Sequence, residues 1–444
     1  MQKIDISFKR IQQLALPAII AGIAEPVLSA TDAAVVGNIS EFGTESLAAV
    51  GIVGSFISTI IWILAQTRSA ISAIVSQNLG AGNLKSLKYF PAQAILFNVL
   101  LSIILLFSTY FFIEDILVFL KAEGKILEYS KDYYYIRIWG FPLTLFTFAI
   151  FGLFRGLQNT FWPMIIASIG ALINIGLDFL LVYGFEGHLE PMGVKGAAWA
   201  SLASQSVMAL LALSLLVAKT NVSLKLKRKI HPEVKRLVNM SFNLFIRSVA
   251  LNVALLMAVR EATSLGKEYI AAHTIAINLW LFSAFFIDGY GAAGNILGGR
   301  LLGAKNYADL WTLTKRVNIY NLIVSLLLVV LGIVFYKQLG LLFTKDIIVL
   351  TTFYSMFIIV LISQPFNALG FTLDAIFKGL GEMKYLRNIL IGATLFGFIP
   401  TLLIANYLDL KLKGIWIALV VWIAFRALAL IIKFKNKYYK LAQK

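Results

Sequence analysis

The sequence predicts an all-α polytopic membrane protein with twelve transmembrane helices in two six-helix bundles. The chain of 444 residues is 59% hydrophobic and only 14% charged, with a mean hydropathy of +0.84. A soluble domain carries about 25% charged residues. Apolar stretches recur along the whole chain, and each is long enough to cross a hydrocarbon core of about 30 Å as a helix. An internal repeat divides these stretches into two sets of six.

Twelve apolar stretches are the predicted spans. In chain order they cover residues 11–37, 47–76, 91–114, 133–158, 161–184, 194–218, 235–262, 269–299, 314–336, 347–378, 385–406 and 412–433. No small-residue cleavage site follows a short apolar core in the first stretch, so we expect it to remain in the mature protein.

Lysine and arginine residues concentrate in alternate loops. The loop after the sixth span, "KTNVSLKLKRKIHPEVKR", holds seven of them, whereas "SEFGTES" and "FEGHLEP" in the other loops are acidic or mixed. The positive-inside rule therefore predicts that both termini and the even-numbered loops are cytoplasmic. We expect a multi-pass protein of the cell (inner, cytoplasmic) membrane, in contact with membrane lipids.

Composition excludes several kinds of chemistry. The chain has no cysteine, which rules out disulfides and thiolate ligands, and its three histidines lie far apart in sequence. We therefore expect no cofactor and no His-rich metal site. The net charge of +17 is explained by basic cytoplasmic loops, so no nucleic-acid partner is predicted. The sequence contains no nucleophile–base pair or phosphate-binding loop, and we do not expect an enzyme.

Four pairs of features recur at an offset of 223 residues. They are "LAAVGI" and "IAAHTI" (47–52 and 270–275), "LGAGN" and "LGAKN" (79–83 and 302–306), Pro142 and Pro365, and "FGLFRGL" and "DAIFKGL" (151–157 and 374–380). We predict an N-terminal lobe of residues 1–221 and a C-terminal lobe of residues 222–444. Six spans in each lobe give both the same topology, which predicts a pseudo-two-fold axis along the membrane normal and a central cleft, as in transporters.

Two acids and two neutral polar residues mark a candidate cation site in the first lobe. Asp32 lies in the first span, and Asn174 precedes Asp178 by one helical turn in the fifth. Ser201 adds a hydroxyl in the sixth span. Ionisable residues within a span are costly and are a functional hypothesis by default. These oxygen donors could hold Na⁺, or the two carboxylates could share and release a proton.

The repeat provides an internal control for this site. At the offset of 223, Asp32 aligns with Leu255 and Asp178 aligns with Thr401. A carboxylate needed for the shared fold would be expected in both lobes, so its absence from the second favours a role in one lobe only. The alternative is a carboxylate that simply satisfies a neighbouring helix.

Four further residues are candidates for a substrate cavity. They are Glu25, Arg68, His273 and Asp288. The alternative for His273 is a buried residue that fills space, and the alternative for Asp288 is a buried ion pair. Aromatic residues could also line a cleft for flat organic cations.

Two prolines and one charge pair are the remaining features that the sequence singles out. Pro17 and Pro26 interrupt the first span, and a proline frees backbone carbonyls, which predicts a hinge there. Asp374 and Lys378 are one turn apart near the end of the tenth span, which predicts a structural ion pair.

Several motifs resemble a known family. "LPAIIAGIAEPVLSATDAAVVGNI", "LAAVGI" and "SQNLGAGN" resemble the opening of multidrug and toxic compound extrusion (MATE) transporters. "AAHTIAINLW", "DGYGAAGNILGGRLLGA" and "LDAIFKGLGEMKY" are similar to the DinF branch in particular. The resemblance covers nearly the whole chain, with the motifs in order in both halves.

The resemblance implies a monomeric antiporter that exchanges small organic, often cationic, compounds for H⁺ or Na⁺. It implies that Asp32, Asn174, Asp178 and Ser201 form the cation site, with Ser in place of the more usual Thr. The first helix of such proteins bends at the proline matched here by Pro17.

The sequence also departs from the family pattern. Glu25 and Pro26 have no place in it, and Asn367 stands near where the NorM branch would carry an acid. Two alternatives stay open. One is a flippase for lipid-linked precursors, which would favour a cleft lined by basic residues, and the other is an uncoupled channel or structural membrane protein.

Overall fold

The described part of the chain is mostly helical, in a computed structural model that describes residues 4–39, 43–185 and 188–443, without the side chains of residues 25, 26, 29 and 30. The first half contains α1 (Phe8–Gly37), α2 (Gly43–Leu64), α3 (Gln66–Gly80), α4 (Phe90–Tyr110), α5 (Ile113–Phe119), α6 (Gly124–Arg137), α7 (Gly140–Gly156), α8 (Phe161–Tyr183) and α9 (Gly193–Lys219). The second half contains α10 (Pro232–Ser264), α11 (Lys267–Gly303), α12 (Tyr307–Leu341), α13 (Ile347–Gly379), α14 (Met383–Gly392), α15 (Ile399–Tyr407), α16 (Lys411–Phe434) and α17 (Lys440–Ala442). π-helical turns join α14 to α15 and α16 to α17.

These helices account for the predicted spans and confirm an all-α polytopic membrane protein. Ten segments of the described chain are long and apolar enough to cross a membrane, and a bent pair makes eleven. Helix α1 has 30 residues. At 1.5 Å per residue this corresponds to about 45 Å, more than a bilayer core requires. With α1 as the twelfth, each of the twelve predicted spans coincides with a helix or a helix pair.

The fourth span bends sharply between two helices. It begins earlier than predicted, as α6, and then bends by 46° into α7. The break falls at residues 138–139, just before Gly140. Hydropathy averaged over a window measures the length of an apolar segment but not the direction of the helix axis. It therefore cannot predict such a bend.

Two of the longer helices begin with side-chain caps. The Asn306 side chain accepts a hydrogen bond from the Asp309 backbone N–H at 3.1 Å, at the start of α12. Asp346 accepts from the N–H groups of Ile348 and Val349 at 2.8 and 3.2 Å, at the start of α13. These bonds satisfy donors that the first turn of a helix leaves without a partner.

The chain folds as two compact units. The N-terminal unit consists of Ile20–Val75 and Asn83–Ser241, and the C-terminal unit consists of Met1–Ile19, Ser76–Gly82 and Phe242–Lys444. The core of the N-terminal unit joins residues of α1, α2 and α4 to α9, including the fully buried Tyr134 and Phe141. The core of the C-terminal unit is built around Phe353, Trp416 and Trp422.

Close backbone contact shapes the C-terminal unit where α13 meets α11. A Cβ atom at Gly379 would lie 2.2 Å from the backbone oxygen of Asn295. Backbone atoms cannot rotate away as a side chain would, so the contact requires glycine. The Asn295 amide in turn donates to the backbone oxygen of Ala375 at 3.1 Å.

Helix α1 contributes to both units. It is helical through Pro17 and Pro26, and the boundary between the units falls after Ile19, two residues beyond Pro17. In the C-terminal unit, the Gln12 amide donates to the Tyr290 hydroxyl at 2.7 Å. The role of these prolines as hinges stays a prediction, and the side chain of Pro26 lies outside the described part of the structure.

Glu382, in the turn between α13 and α14, ties the end of the chain to the C-terminal unit. Its carboxylate pairs with Lys437 and accepts a hydrogen bond from the Tyr438 hydroxyl at 2.9 Å. Partial burial acts to raise the pKa of Glu382, but these hydrogen bonds and the nearby lysine charges outweigh burial and leave the pKa below its ordinary value.

Candidate cation-coupling site

Helix α8 presents two polar side chains to the interior of the N-terminal unit. Asn174 and Asp178 lie one turn apart on the buried face of an otherwise apolar helix. The Asn174 amide donates to Asp178 Oδ2 at 2.8 Å. Asp178 is 0% exposed, so its carboxylate is removed from bulk water. A charged group in this position requires a compensating partner.

Helices α1 and α9 complete the cluster. Asp32 Oδ1 accepts a second hydrogen bond from the Asn174 amide, at 3.3 Å, and Asp32 Oδ2 accepts one from the Ser201 hydroxyl, also at 3.3 Å. Both Asp32 and Ser201 are buried. The structure thus brings together all four residues that the sequence identified as a candidate site. We refer to Asp32, Asn174, Asp178 and Ser201 as the carboxylate cluster.

Local contacts hold these helices close enough for the cluster to form. A Cβ atom at Gly196 of α9 would lie 2.5 Å from the backbone oxygen of Leu181 in α8, so α9 approaches α8 at backbone contact one and a half turns before Ser201. The Tyr183 hydroxyl donates to the backbone oxygen of Val35 at 2.7 Å and joins α8 to α1.

One carboxylate oxygen of the cluster is left for a further partner. Asp178 Oδ1 is buried and accepts no hydrogen bond from any described residue. Asp178 also interacts directly with the Asp32 carboxylate. Two buried acids side by side repel one another when both are ionised, and a bound cation relieves that repulsion. The free oxygen and the neighbouring acid therefore suit either a proton or a small cation with oxygen ligands.

Helix α6 adds a basic residue that the sequence analysis did not single out. Arg137 interacts electrostatically with both Asp32 and Asp178, and its Nε donates to the buried Tyr133 hydroxyl at 3.3 Å. If both acids are ionised, Arg137 leaves the group one negative charge in excess, enough to hold one monovalent cation. Arg137 lies inside a predicted span, so the rule applied to acids would also have found it.

A groove lies between α1 and α8 in the N-terminal unit. Its volume is about 390 Å³, and its lining residues are Val27, Thr31, Ala34, Val35, Asn38, Phe179 and Tyr183. Thr31 directly precedes Asp32 in the chain, and Phe179 directly follows Asp178. The groove is mainly apolar and aromatic, a surface that suits flat organic molecules.

The structure places the other predicted cavity residues in different settings. Arg68 is half-buried, with its guanidinium 5.2 Å from the ring centre of Phe148. His273 is 1% exposed and lies beside Trp416, with ring centres 5.7 Å apart. His273 Nδ1 meets no hydrogen-bond partner among the described residues, which favours a space-filling role over a proton relay. The side chain of Glu25 lies outside the described part of the structure.

A second charged cluster occupies the C-terminal unit. Asp374 Oδ1 accepts from Arg247 Nε and Nη2 at 3.1 and 2.6 Å, and Asp374 Oδ2 lies 3.1 Å from Lys378 Nζ. The predicted Asp374–Lys378 ion pair is therefore confirmed. Arg426 Nη2 lies 3.6 Å from the same carboxylate, and Asp288, exposed on α11, interacts electrostatically with Lys378 and Arg426.

Apolar helices that span a membrane and bury ionisable side chains in their interior are typical of polytopic membrane proteins such as transporters. The sequence model of the MatE family matches residues 17–180 and 244–403. The two matches cover more than half of the chain, and the chain belongs to the MatE family. Their ends, at residues 180 and 403, are 223 residues apart, as the internal duplication predicts.

Relatives in bacteria and plants match along much of the sequence. DNA damage-inducible protein F of Escherichia coli (strain K12) is 26% identical over 432 residues, or 96% of this chain and 91% of that protein. Multidrug resistance protein NorM of Vibrio cholerae serotype O1 is 26% identical over 432 residues, or 94% and 93%. Protein DETOXIFICATION 42 of Arabidopsis thaliana is 26% identical over 310 residues, or 69% of this chain, and the match spans only 58% of the plant protein.

Solved structures share the fold. A MATE transporter in the bent conformation superposes with a TM-score of 0.90 at 22% identity, covering 98% of this chain and 96% of that one. An outward-facing multidrug resistance MATE family transporter of the MOP superfamily gives 0.89 at 22% identity, covering 98% and 97%.

Proposed function

We propose that this protein is a cation-coupled antiporter that exports organic, often cationic, compounds in exchange for H⁺ or Na⁺. The observation that carries the proposal is the carboxylate cluster, in which one buried oxygen of Asp178 has no hydrogen-bond partner among the residues that the structure describes. Multidrug resistance protein NorM and the multidrug resistance MATE transporter are relatives whose names support the choice of cargo.

The mechanism follows from the cost of buried charge. With both acids ionised, the N-terminal unit holds excess negative charge in a low-dielectric interior. A proton or Na⁺ that binds between Asp32 and Asp178 removes this excess, and α1, which carries Asp32, is then free to repack against α8 and α9. Asn174 and Ser201 hold the carboxylates in position through the hydrogen bonds described above.

Coupling requires that the cation and the exported compound favour different conformations, because a ligand with equal affinity for both shifts nothing. We propose a cycle in which cation binding from outside stabilises the conformation that releases the compound, and reopening to the cytoplasm releases the cation. Both termini are cytoplasmic in this proposal, two six-helix lobes rock against one another, and the protein acts as a monomer in the inner membrane.

The experiment is a dye-efflux measurement in a strain that lacks its own efflux pumps. Ethidium or rhodamine efflux is followed while the proton gradient and the sodium gradient are collapsed in turn. Efflux that stops with one gradient identifies the coupling ion, whereas efflux that survives the loss of both would refute coupling. Asp178→Asn is expected to abolish gradient-driven efflux.

Asp115→Asn is the matched control, because Asp115 is an exposed acid of the same unit. It is expected to leave efflux unchanged. Equal efflux by the wild type and Asp178→Asn would remove the carboxylate cluster from the coupling step.

The flippase alternative has less support. It expects basic side chains that are open to a phosphate-bearing lipid. The buried Arg247 and Arg426 of the C-terminal unit instead face the carboxylate of Asp374.

A further inference from the structure

The segment that joins α9 to α10 is extended and strongly basic. Residues 220–231 form no helix. Lys225, Lys227, Arg228 and Lys229 lie in this stretch, and all four are exposed. We call residues 220–231 the linker segment. Positive charges this close together in the chain repel one another, so negative charge nearby would stabilise the arrangement.

Exposed apolar side chains alternate with these charges. Leu224 is 37% exposed, Leu226 is 58% exposed and Ile230 is 71% exposed. In an extended chain, successive side chains point to opposite sides, so the leucines and the lysines of "LKLK" lie on opposite edges. A single exposed leucine needs no explanation. The chain bends at residues 228–229, so the alternation holds over residues 224–227. A strip with one apolar edge and one basic edge suits the boundary between acyl chains and headgroups.

Gln93 fixes the backbone of the linker segment from the protein side. Its buried amide donates to the backbone oxygens of Lys227 and Lys229 at 3.0 and 2.9 Å, and its oxygen accepts from the His231 N–H at 2.9 Å. The ring of His231 adds a bond to the backbone oxygen of Ser86 at 2.9 Å. Because the backbone is held in place, the side chains of the segment stay on the outer surface.

Aromatic residues place this end of the N-terminal unit at the membrane boundary. Lys227 Nζ lies 4.4 Å from the ring centre of Tyr89, and Lys219 Nζ lies 5.6 Å from that of Trp162. Phe161, the first residue of α8, is 49% exposed. Tyr and Trp are enriched at the headgroup level of membranes. Two more exposed lysines, Lys85 and Lys88, belong to the same end of the unit.

From this arrangement we propose that the linker segment is a binding site for the headgroups of anionic phospholipids. The basic edge contacts lipid phosphates, and the apolar edge inserts among the acyl chains. Juxtamembrane clusters of four to eight lysines and arginines attract anionic lipids in this way. Here Gln93 holds the cluster in one conformation, which makes it a defined site instead of a diffuse charge. The proposed orientation of the chain places this site in the cytoplasmic leaflet. The rest of the proposal does not depend on orientation or on transport.

The test uses the absence of cysteine, because Asn221→Cys provides a single attachment point for a fluorophore on the linker segment. The full-length protein is placed in phosphatidylcholine vesicles that contain a small fraction of nitroxide-labelled phosphatidylglycerol or nitroxide-labelled phosphatidylcholine. The ratio of quenching by the two lipids measures the local preference for the anionic headgroup. A second reporter, Asn436→Cys, lies in an exposed lysine-rich part of the chain end and serves as the control.

The ratio at position 221 is expected to exceed one. Replacing Lys225, Lys227 and Lys229 together by Gln is expected to reduce the preference about tenfold or more, while the ratio at position 436 stays the same. These substitutions are at exposed positions, so the fold is retained. No change at position 221 would overturn the proposal.

Gln93→Leu separates a defined site from diffuse attraction, because it removes the three hydrogen bonds and leaves every charge in place. It is expected to lower the ratio at position 221. An unchanged ratio in this variant would overturn the defined site. Soluble glycerol phosphate at matched ionic strength is expected to have no effect. Loss of the preference in its presence would show that the ligand is free phosphate and would overturn the assignment to lipid.

Discussion

Asp374 is a position where the loss of one charge is expected to lower stability. Three cations of the C-terminal unit, Arg247, Lys378 and Arg426, face its carboxylate at 2.6, 3.1 and 3.6 Å. Asp374→Asn preserves the size of the side chain and removes the negative charge. It leaves these cations without their shared carboxylate, in a place where the Arg247 and Arg426 side chains are only 6% and 3% exposed.

The magnitude follows from the cost of breaking a buried ion pair, about 3–5 kcal/mol. With an unfolding entropy of roughly 2.1 cal/mol/K per residue, a cooperative unit of 444 residues has about 0.9 kcal/mol/K. The expected fall in Tm is therefore about 3–5 °C. It is larger if the C-terminal unit unfolds independently, because a smaller unit has a smaller unfolding entropy.

The assay is thermal unfolding of the full-length protein in detergent, followed by the loss of the monodisperse peak in size-exclusion chromatography. Asp409→Asn is the matched control, because Asp409 is an exposed acid of the same unit. Its expected effect is within about 0.5 kcal/mol of zero. The double variant Asp374→Asn with Arg247→Met is expected to recover part of the loss, because it removes one of the stranded charges.

Equal Tm values for Asp374→Asn and the wild type would refute this reasoning. That result would mean that the three cations find other partners at little cost. A double variant less stable than Asp374→Asn alone would contradict the assignment of the loss to stranded charge.

Three further predictions use other parts of the structure. Gly379→Ala forces a Cβ atom to 2.2 Å from the Asn295 backbone oxygen and is expected to lower stability by about 1–3 kcal/mol in the same thermal assay. Gly392→Ala, with open space around its Cβ position, is the control. The lowered pKa of Glu382 means that its ion pair stabilises the fold above the ordinary glutamate pKa of about 4.3, and this contribution is lost as pH falls through the lowered pKa. Glu382→Gln should therefore reduce Tm at pH 7 and bring the variant and wild-type values together in acid, whereas a constant difference would contradict the assignment. Ser201→Ala should weaken Na⁺-driven efflux about tenfold if the hydroxyl binds the cation, and Ser201→Thr should retain it; equal activity of both variants would exclude that role.

The helical fold was predictable because each apolar stretch exceeds the thickness of a bilayer. The predicted stretch 347–378 coincides with Ile347–Gly379 almost to the residue. The ninth span is longer than predicted, running over Tyr307–Leu341 in place of 314–336. Its polar first turns extend beyond the apolar part, and hydropathy detects only the apolar part.

The members of the carboxylate cluster were predictable because isolated polar residues are conspicuous in apolar spans. The hydrogen bonds that join residues on different helices were harder to predict. Asn174 and Asp178 share one helix, and helical spacing predicts that they are neighbours. The Asp374–Arg247 pair joins residues 127 positions apart, and no spacing rule reaches that far. Arg137 and Arg426 lie in predicted spans, where the rule applied to acids would have found them, but no spacing rule identifies their partners on other helices.

Helix α1 carries two contacts of the N-terminal unit within one turn. Asp32 accepts hydrogen bonds from Asn174 and Ser201, and the backbone oxygen of Val35 accepts one from the Tyr183 hydroxyl. Each residue of an α-helix turns the chain by about 100°. A single residue inserted or deleted between positions 32 and 35 would therefore rotate one contact out of register with the other. A change in the length of this turn is for that reason expected to be tolerated less in evolution than a substitution that keeps its length.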